Sequence, residues 1–239
     1  MNDRPARRRV NAAAPAGLWE VGAPFVGRQA VMTVPRDHHV GDRTGMVRLA
    51  RIISNIVSPP IMFALIGLAL GVYERSLWPG LGWGLVYSLL IALTPMLVIF
   101  YLLRIGRITD LHMSATSERH IPYVTSVVTG ALAYALLVLF DGPILLRCLA
   151  ILSVITLGAL GLINTQWLIS IHATAAAATW MIATLVFGWN TGLILLPLLV
   201  LIASIRLYLK RHTPAQVLAG IALGFSAVLL MRAFGCFIP

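Results

Sequence analysis

Residues 191–231 read TGLILLPLLVLIASIRLYLKRHTPAQVLAGIALGFSAVLLM. Two apolar runs, at about 191–209 and 213–236, flank a short polar break in this part of the chain. Each run has the ~20 residues that an α-helix needs to cross ~30 Å of hydrocarbon. The stretch therefore predicts two consecutive transmembrane helices joined by a polar connection.

The same pattern of apolar runs extends through most of the chain. Of the 239 residues, 59% are apolar and only 11% are charged, whereas a soluble domain carries about 25% charged residues. A soluble enzyme, a disordered chain and a secreted disulfide scaffold are therefore excluded. We predict an all-α, polytopic transmembrane bundle of about six to seven spans, from the apolar segments at about 52–73, 83–103, 122–140, 143–163, 167–187, 191–209 and 213–236.

The segment before the first span is basic and contains no apolar run. Nine of the 18 Arg and Lys residues lie in it. We predict that residues 1–50 form a flexible or surface-lying tail, whose arginines could contact anionic lipid, and that residues 51–239 form the transmembrane domain. Because the excess positive charge lies in this tail and in the loops, we expect no nucleic-acid partner.

Proline and glycine residues in the spans predict one helix kink and one close contact between helices. Pro59 and Pro60 lie in the first turns of the opening span and predict a kink there. Gly220 and Gly224 form a Gly-x-x-x-Gly pair in the last span, which predicts close packing against another helix. The two cysteines, Cys148 and Cys236, lie in apolar runs. We expect them to pack in the core or against lipid, with neither a disulfide framework nor a zinc site.

Polar residues are concentrated in three connections, at residues 104–123, 164–172 and 204–216. Two spans separate the first connection from the second, and two more separate the second from the third. Because an even number of crossings returns the chain to the same side, all three connections can meet at one membrane face, which we call the site face.

Basic residues are distributed unevenly between the two predicted faces. Fifteen of the 18 lie in the tail or at the site face, and three lie at the opposite face: Arg75, Arg147 and Arg232. Basic residues favour the cytoplasmic side of a membrane. We therefore expect a multi-pass protein of the bacterial inner membrane, with its N-terminus and site face in the cytoplasm.

The third connection contains a predicted helix start beside several basic side chains. Thr213, Pro214 and Gln216 fit a capping box at the start of a helix. Such an N-terminus is a ready site for an anion. The residues just before it include Arg206, Lys210, Arg211 and His212. An imidazole, guanidinium groups and a positive helix end at a membrane surface suit a phosphate group.

His172 lies about one turn into an apolar run, where a histidine is costly unless it faces the bundle interior or water. It could be a hydrogen-bonded packing residue. A second histidine, His212, is predicted at the same depth, and the pair could instead form a catalytic site.

These three connections resemble the motifs of the type 2 phosphatidic acid phosphatase and vanadium haloperoxidase superfamily, over residues of about 105–225. The third block is Arg206, five residues, His212, three residues and Gln216. The second block is Ser170-Ile171-His172, and the first is His112, six residues, Arg119 and His120. The superfamily pattern has Lys, Pro, Gly and Asp at the positions of His112, His120, Ile171 and Gln216.

The resemblance implies a phosphatidic acid phosphatase-like core that hydrolyses a lipid phosphate or diphosphate without a metal or cofactor. His212 would be the nucleophile that forms a phosphohistidine. His172 would be the general acid that protonates the leaving oxygen. Gln216 would accept the Nδ1–H hydrogen bond of His212. The residues implied to bind the substrate phosphate are Arg119, Arg206, His112 and Lys210.

Several functions stay open at this point. The substrate is expected to be a polyprenyl diphosphate or a phosphatidate-type lipid. The alternative is a catalytically lost relative that serves as a structural subunit of a membrane complex; self-association also stays open. A magnesium-dependent prenyltransferase is rejected because the chain has only eight acidic residues, too few on this face to hold the metal.

Overall fold

The computed structural model describes residues 35–37, 40–108 and 116–238. His112 and residues 1–34 of the predicted tail lie outside the described residues. Across these ranges the chain is helical and forms no strand. The α-helices are α1 (Gly45–Ile56), α2 (Pro59–Glu74), α3 (Leu77–Ser88), α4 (Thr94–Arg104), α5 (His120–Leu139), α6 (Ile144–Ile163), α7 (Ile171–Phe187), α8 (Trp189–Tyr208) and α9 (Pro214–Ala233).

The helices have the length and apolarity of a multi-pass membrane protein. Among the described residues, five stretches are long and apolar enough to cross a bilayer: Leu77–Arg104, His120–Leu139, Ile144–Ile163, Trp189–Tyr208 and Pro214–Ala233. α1 and α2 together make a sixth candidate. The predicted all-α, polytopic bundle is confirmed.

α7 is a central helix of the bundle, although it has only 17 residues. It packs against α2, α8 and α9, and its run of small residues from Ala173 to Ala178 is buried. A Cβ atom on Gly220 of α9 would lie 2.6 Å from the carbonyl oxygen of Ser170. The predicted close packing at the Gly-x-x-x-Gly pair is thus confirmed, and it brings the start of α9 against the start of α7.

The predicted kink at Pro59-Pro60 is also confirmed. α1 ends at Ile56, α2 begins at Pro59, and the two helices are bent by 42°. Proline is tolerated in the first turn of a helix because the N–H that it lacks has no partner there. α1 packs through Ala50 against Ile205 and Leu209, near the end of α8.

The boundary between tail and bundle lies earlier than predicted. α1 begins at Gly45, and the side chain of Asp37 is fully buried. Arg51 donates a hydrogen bond of 2.8 Å to this carboxylate, and the backbone N–H of Arg36 donates to the carbonyl oxygen of Leu209. These polar contacts attach a segment without an apolar run to the bundle, so hydropathy alone does not detect it.

The span that contains α3 and α4 changes neighbours halfway along its length. α3 packs against α2, whereas α4 packs against α5. A π-helical segment, Leu89–Leu93, lies between them, just before Pro95. Proline has no N–H to donate to the carbonyl four residues earlier, and such local irregularities redirect helices. The divergence of α4 from α2 leaves room for a cavity.

The two cysteines form a disulfide, contrary to the expectation from the sequence. Cys148 lies at the start of α6 and Cys236 follows α9, with their Cα atoms 5.7 Å apart and their sulfur atoms bonded. Both helix ends lie at the face opposite the site face. The 88-residue separation gave no indication that the two positions would meet.

We predict that this disulfide stabilises the protein, because a cross-link over a long loop restricts the unfolded chain, typically by about 2–4 kcal/mol. Cys148→Ser/Cys236→Ser should lower the thermal unfolding midpoint of the detergent-solubilised protein. Dithiothreitol should lower the wild-type midpoint to that of the variant and leave the variant unchanged. A wild-type midpoint that is insensitive to the reductant would contradict the prediction.

Candidate functional site

The first and second polar connections are joined by a hydrogen-bond network. Asn164 donates from Nδ2 to the hydroxyl of Tyr123, at 2.7 Å. Its Oδ1 accepts from the backbone N–H of Ile169, at 2.8 Å. Arg119 is also hydrogen-bonded to Tyr123. The start of α5 is therefore fixed to the segment that leads into α7.

The second and third connections are joined by backbone groups. The N–H of Ser170 donates to the carbonyl oxygen of Gln216, at 3.2 Å. His212 is hydrogen-bonded through Nδ1 to the carbonyl oxygen of Leu168, also at 3.2 Å. The three connections therefore lie together, as the count of membrane crossings predicted.

Three of the predicted site residues line one cavity of about 380 Å³: Arg119, His172 and Arg206. Each is buried, with 9%, 9% and 4% of its surface exposed, respectively. They come from three separate elements: the turn before α5, the first turn of α7 and the end of α8. The cavity thus has a cationic end built from all three polar connections.

Arg206 has little compensation for its charge. Its Nη1 donates to the hydroxyl of Ser54 at 3.1 Å, and its buried Nε has no hydrogen-bond partner among the described residues. Among the residues that the structure describes, no carboxylate forms an ion pair with Arg206. A buried guanidinium without a counter-ion is costly, so this position suits a bound anion.

Arg211, next in the sequence to Lys210, has the opposite environment. It donates from Nε and Nη2 to the two carboxylate oxygens of Asp37, both at 2.8 Å. Asp37 also pairs with Arg51. A bidentate pair of this kind fixes the guanidinium, so the side chain of Arg211 is held by Asp37 within the protein.

Lys210 does not have the position that the resemblance implied. Its side chain is exposed, and it is not among the described residues that line the cavity. It lies in the turn between α8 and α9 with a positive φ of 54°, which directs the chain from one helix into the next. Of the basic residues near the third motif, Arg206 alone contacts the cavity.

The rest of the cavity wall is mostly apolar, and its polar side chains are Asn55, Ser58, Tyr123 and Ser126. The apolar part comes mainly from α2 and α4 and includes Phe63, Met96, Ile99 and Phe100. A cavity with a cationic end and an apolar wall fits an amphipathic molecule that has an anionic head.

His212 is held as a neutral imidazole. It is 6% exposed, and burial, together with the positive charges of Arg206 and Arg119, lowers its pKa to about 3. A carbonyl oxygen can only accept, so the bond to Leu168 places the proton on Nδ1. Nε2 therefore carries a free electron pair. His212 is not among the described side chains that line the cavity, although both arginines of the cationic end act on it.

Gln216 does not hold His212. The predicted capping box is present: Oε1 of Gln216 accepts from the N–H of Thr213 at 2.9 Å, and the Thr213 hydroxyl accepts from the N–H of Gln216 at 3.3 Å. Because its side chain is used at this helix start, the role of accepting the Nδ1–H bond passes to the backbone carbonyl of Leu168.

Sequence reasoning missed four residues of the site. Asp37, Ser54 and Asn164 hold the arginines and the second connection, and Tyr123 joins Arg119 to Asn164. Tyr123 and Asn164 stand within the polar connections, which was a usable signal. Asp37 and Ser54 are separated from their partners by 174 and 152 residues, and no local pattern indicates those contacts.

The neutral state of buried His212 predicts a pH-dependent stability. In an unfolded chain a histidine has a pKa of about 6.5. Between pH 6.5 and about 3 the unfolded state therefore binds more protons, and stability decreases with falling pH by up to about 1.4 kcal/mol per pH unit. His212→Asn should flatten the dependence of the thermal midpoint on pH between 6.5 and 4.5. The control His120→Asn, at an exposed position, should keep the wild-type slope; equal slopes for both variants would contradict the prediction.

Within the described residues no cluster of three or more His, Cys, Asp or Glu side chains is suited to a metal ion. The comparisons with known proteins give no match to a family model, a curated protein or a solved structure.

Proposed function

We propose that this membrane protein hydrolyses a lipid phosphate or diphosphate through a phosphohistidine. One observation carries the proposal. Two buried guanidiniums, Arg119 and Arg206, and the imidazole of His172 line the same cavity, beside the neutral imidazole of His212. Cationic groups that hold a phosphate next to two imidazoles are the requirements of metal-independent phosphoryl transfer.

In the first step, Nε2 of His212 attacks the phosphorus atom. The N–P bond forms while the bond from that phosphorus to the leaving oxygen breaks, and protonated His172 donates its proton to this oxygen. The leaving oxygen is the ester oxygen of a lipid phosphate or the bridging oxygen of a lipid diphosphate. The Nδ1–H bond to Leu168 supports this role for His212, because it leaves the electron pair on Nε2. Some movement of the imidazole towards the cavity is part of the proposal, since His212 does not line it.

In the second step, water attacks the phosphohistidine. An oxygen–phosphorus bond forms, the N–P bond breaks, and the now neutral His172 accepts the proton of the water. Orthophosphate leaves, and both imidazoles return to their starting protonation states. Arg119 and Arg206 would bind the phosphate oxygens in both steps, where preorganised donors in a water-poor site stabilise the charge of the transition state.

The apolar wall of the cavity supports a lipid as the substrate. Phe63, Met96 and Phe100 offer contacts to a hydrocarbon chain, while the cationic end offers contacts to its phosphate. Both a polyprenyl diphosphate and a phosphatidate-type lipid have this amphipathic form.

The disulfide and the charge distribution support a cytoplasmic orientation of the site in a bacterial inner membrane. Cys148–Cys236 lies at the opposite face, and disulfides persist in oxidising compartments such as the periplasm. Most basic residues lie in the tail or at the site face. Because basic residues favour the cytoplasmic side of a membrane, this distribution supports a cytoplasmic site face.

A second function, binding of a lipid phosphate without turnover, is favoured by the burial of His212. Its side chain is 6% exposed and is not among the described residues that line the cavity. In that case the protein would be a structural subunit of a membrane complex that recognises the lipid head group.

We predict that purified protein in detergent releases phosphate from a polyprenyl diphosphate in the presence of EDTA. His212→Ala should abolish the release. Arg206→Lys should reduce kcat by about 100-fold, because loss of a preorganised donor to the transition state has this effect and an ammonium cannot replace a planar guanidinium. Arg232→Lys, in the last turn of α9 and thus at the far end of that helix from His212, is the matched control and should leave the rate unchanged.

The outcomes of this assay separate the two functions. Release that survives His212→Ala would contradict the phosphohistidine route. A folded wild-type protein that binds lipid phosphate but releases none from any lipid tested would favour the second function.

We further predict that a larger side chain on the apolar wall, which narrows the cavity, weakens the binding of lipid substrates selectively. Met96→Trp should raise KM for a long-chain lipid phosphate by about tenfold, as expected for overpacking of a cavity wall. It should leave the hydrolysis of water-soluble p-nitrophenyl phosphate unchanged. Leu97→Trp is the matched control because Leu97 is 56% exposed and lies outside the described lining. Equal effects on both substrates would contradict a tail-binding role for this wall.

A further inference from the structure

Tyr123, on the first turn of α5, lines the cavity beside Arg119. Its hydroxyl takes part in two hydrogen bonds, one with Asn164 and one with Arg119. The direction of these two bonds determines where the hydroxyl hydrogen can point.

The bond with Asn164 uses the phenol oxygen as an acceptor. A backbone N–H can only donate, so the contact from Ile169 identifies Oδ1 of Asn164 as the atom that it meets at 2.8 Å. Nδ2 is then the atom that faces Tyr123, at 2.7 Å. An amide nitrogen can only donate.

The bond with Arg119 also uses the phenol oxygen as an acceptor, since a guanidinium has donors and no acceptor. A phenol oxygen has two acceptor positions and one hydrogen. Both acceptor positions are occupied, so the hydrogen of Tyr123 must point elsewhere. Among the described residues no acceptor for it is present, and the side chain borders the cavity.

We propose that the hydroxyl of Tyr123 is a substrate ligand, which donates a hydrogen bond to a non-bridging oxygen of the phosphate that Arg119 binds. The inference rests on the anionic site of the proposed function. Arg119 and Tyr123 then act as a pair: the phenol accepts from the guanidinium and donates to the same oxyanion. Asn164 orients the phenol by occupying its second acceptor position.

Tyr123→Phe alone cannot test this role. It removes both the hydroxyl hydrogen that would donate to phosphate and the hydroxyl oxygen that accepts from Arg119. We expect it to weaken the binding of inorganic phosphate by about tenfold, the value of one hydrogen bond to a charged group. Replacement of Tyr123 by 3-fluorotyrosine separates the two roles. Fluorine makes the phenol a stronger donor and a weaker acceptor while its shape is nearly preserved.

The experiment measures the affinity of the full-length, detergent-solubilised protein for inorganic phosphate, from the phosphate dependence of the thermal midpoint. With 3-fluorotyrosine at Tyr123, at a pH where the phenol is protonated, phosphate should bind more tightly than to the wild type. The control carries 3-fluorotyrosine at Tyr134, farther along α5 and outside the described lining, and should bind as the wild type does.

Weaker or unchanged binding with 3-fluorotyrosine at Tyr123 would overturn the inference, because an acceptor that only supports Arg119 is weakened by fluorine. Tighter binding in a protein that releases no phosphate from any lipid would support the inference and contradict the proposed hydrolase. A wild type that does not bind phosphate would overturn the inference, while phosphate release from a polyprenyl diphosphate would still decide the proposed hydrolysis.

Discussion

The buried guanidinium of Arg206 is the constraint on which the rest of the site depends. It lies at the end of α8 with a hydroxyl, Ser54, as its partner and no paired carboxylate among the described residues. Burial of a cation without a paired counter-ion is unfavourable by several kcal/mol, and Arg119 adds positive charge to the same cavity. An anion bound beside Arg206, as we propose, would offset part of this cost. The oxyanion affinity that we propose would thus follow from the fold itself.

Asp37 keeps this excess charge at a moderate level. It neutralises Arg211 through two hydrogen bonds and also pairs with Arg51, so that α1 and the connection from α8 to α9 are held together by one carboxylate. The same carboxylate partly compensates Arg206, whose environment it influences at longer range. The pairing of Asp37 with Arg211 and Arg51 therefore has two effects. It attaches the segment before α1 to the bundle, and it leaves Arg206 and Arg119 as the arginines that line the cavity.

The sequence was sufficient to predict what depends on local patterns. The apolar runs predicted the helices, and Pro59-Pro60 predicted the bend between α1 and α2. Thr213 and Gln216 predicted the capping box, and the even number of crossings predicted that the three polar connections meet. It was insufficient where distant positions meet. Helix packing determines the disulfide between Cys148 and Cys236 and the pair of Asp37 with Arg211. Local sequence also did not distinguish Arg206, whose side chain lines the cavity, from Lys210, whose side chain is exposed in the following turn.

The charges at the site also connect binding to chemistry. Burial and the fields of Arg206 and Arg119 keep His212 neutral, which is the state a nucleophile requires. In the proposed mechanism a phosphate would bind between these arginines and offset part of their charge, while burial, the largest cause of the lowered pKa, would still favour neutral His212. In the same mechanism His172, which borders the same cavity, would stand where the leaving oxygen needs a proton. The Nδ1–H bond to Leu168 keeps the electron pair of His212 on Nε2, so a phosphate bound at the arginines would meet both imidazoles in the roles that the proposed hydrolysis requires.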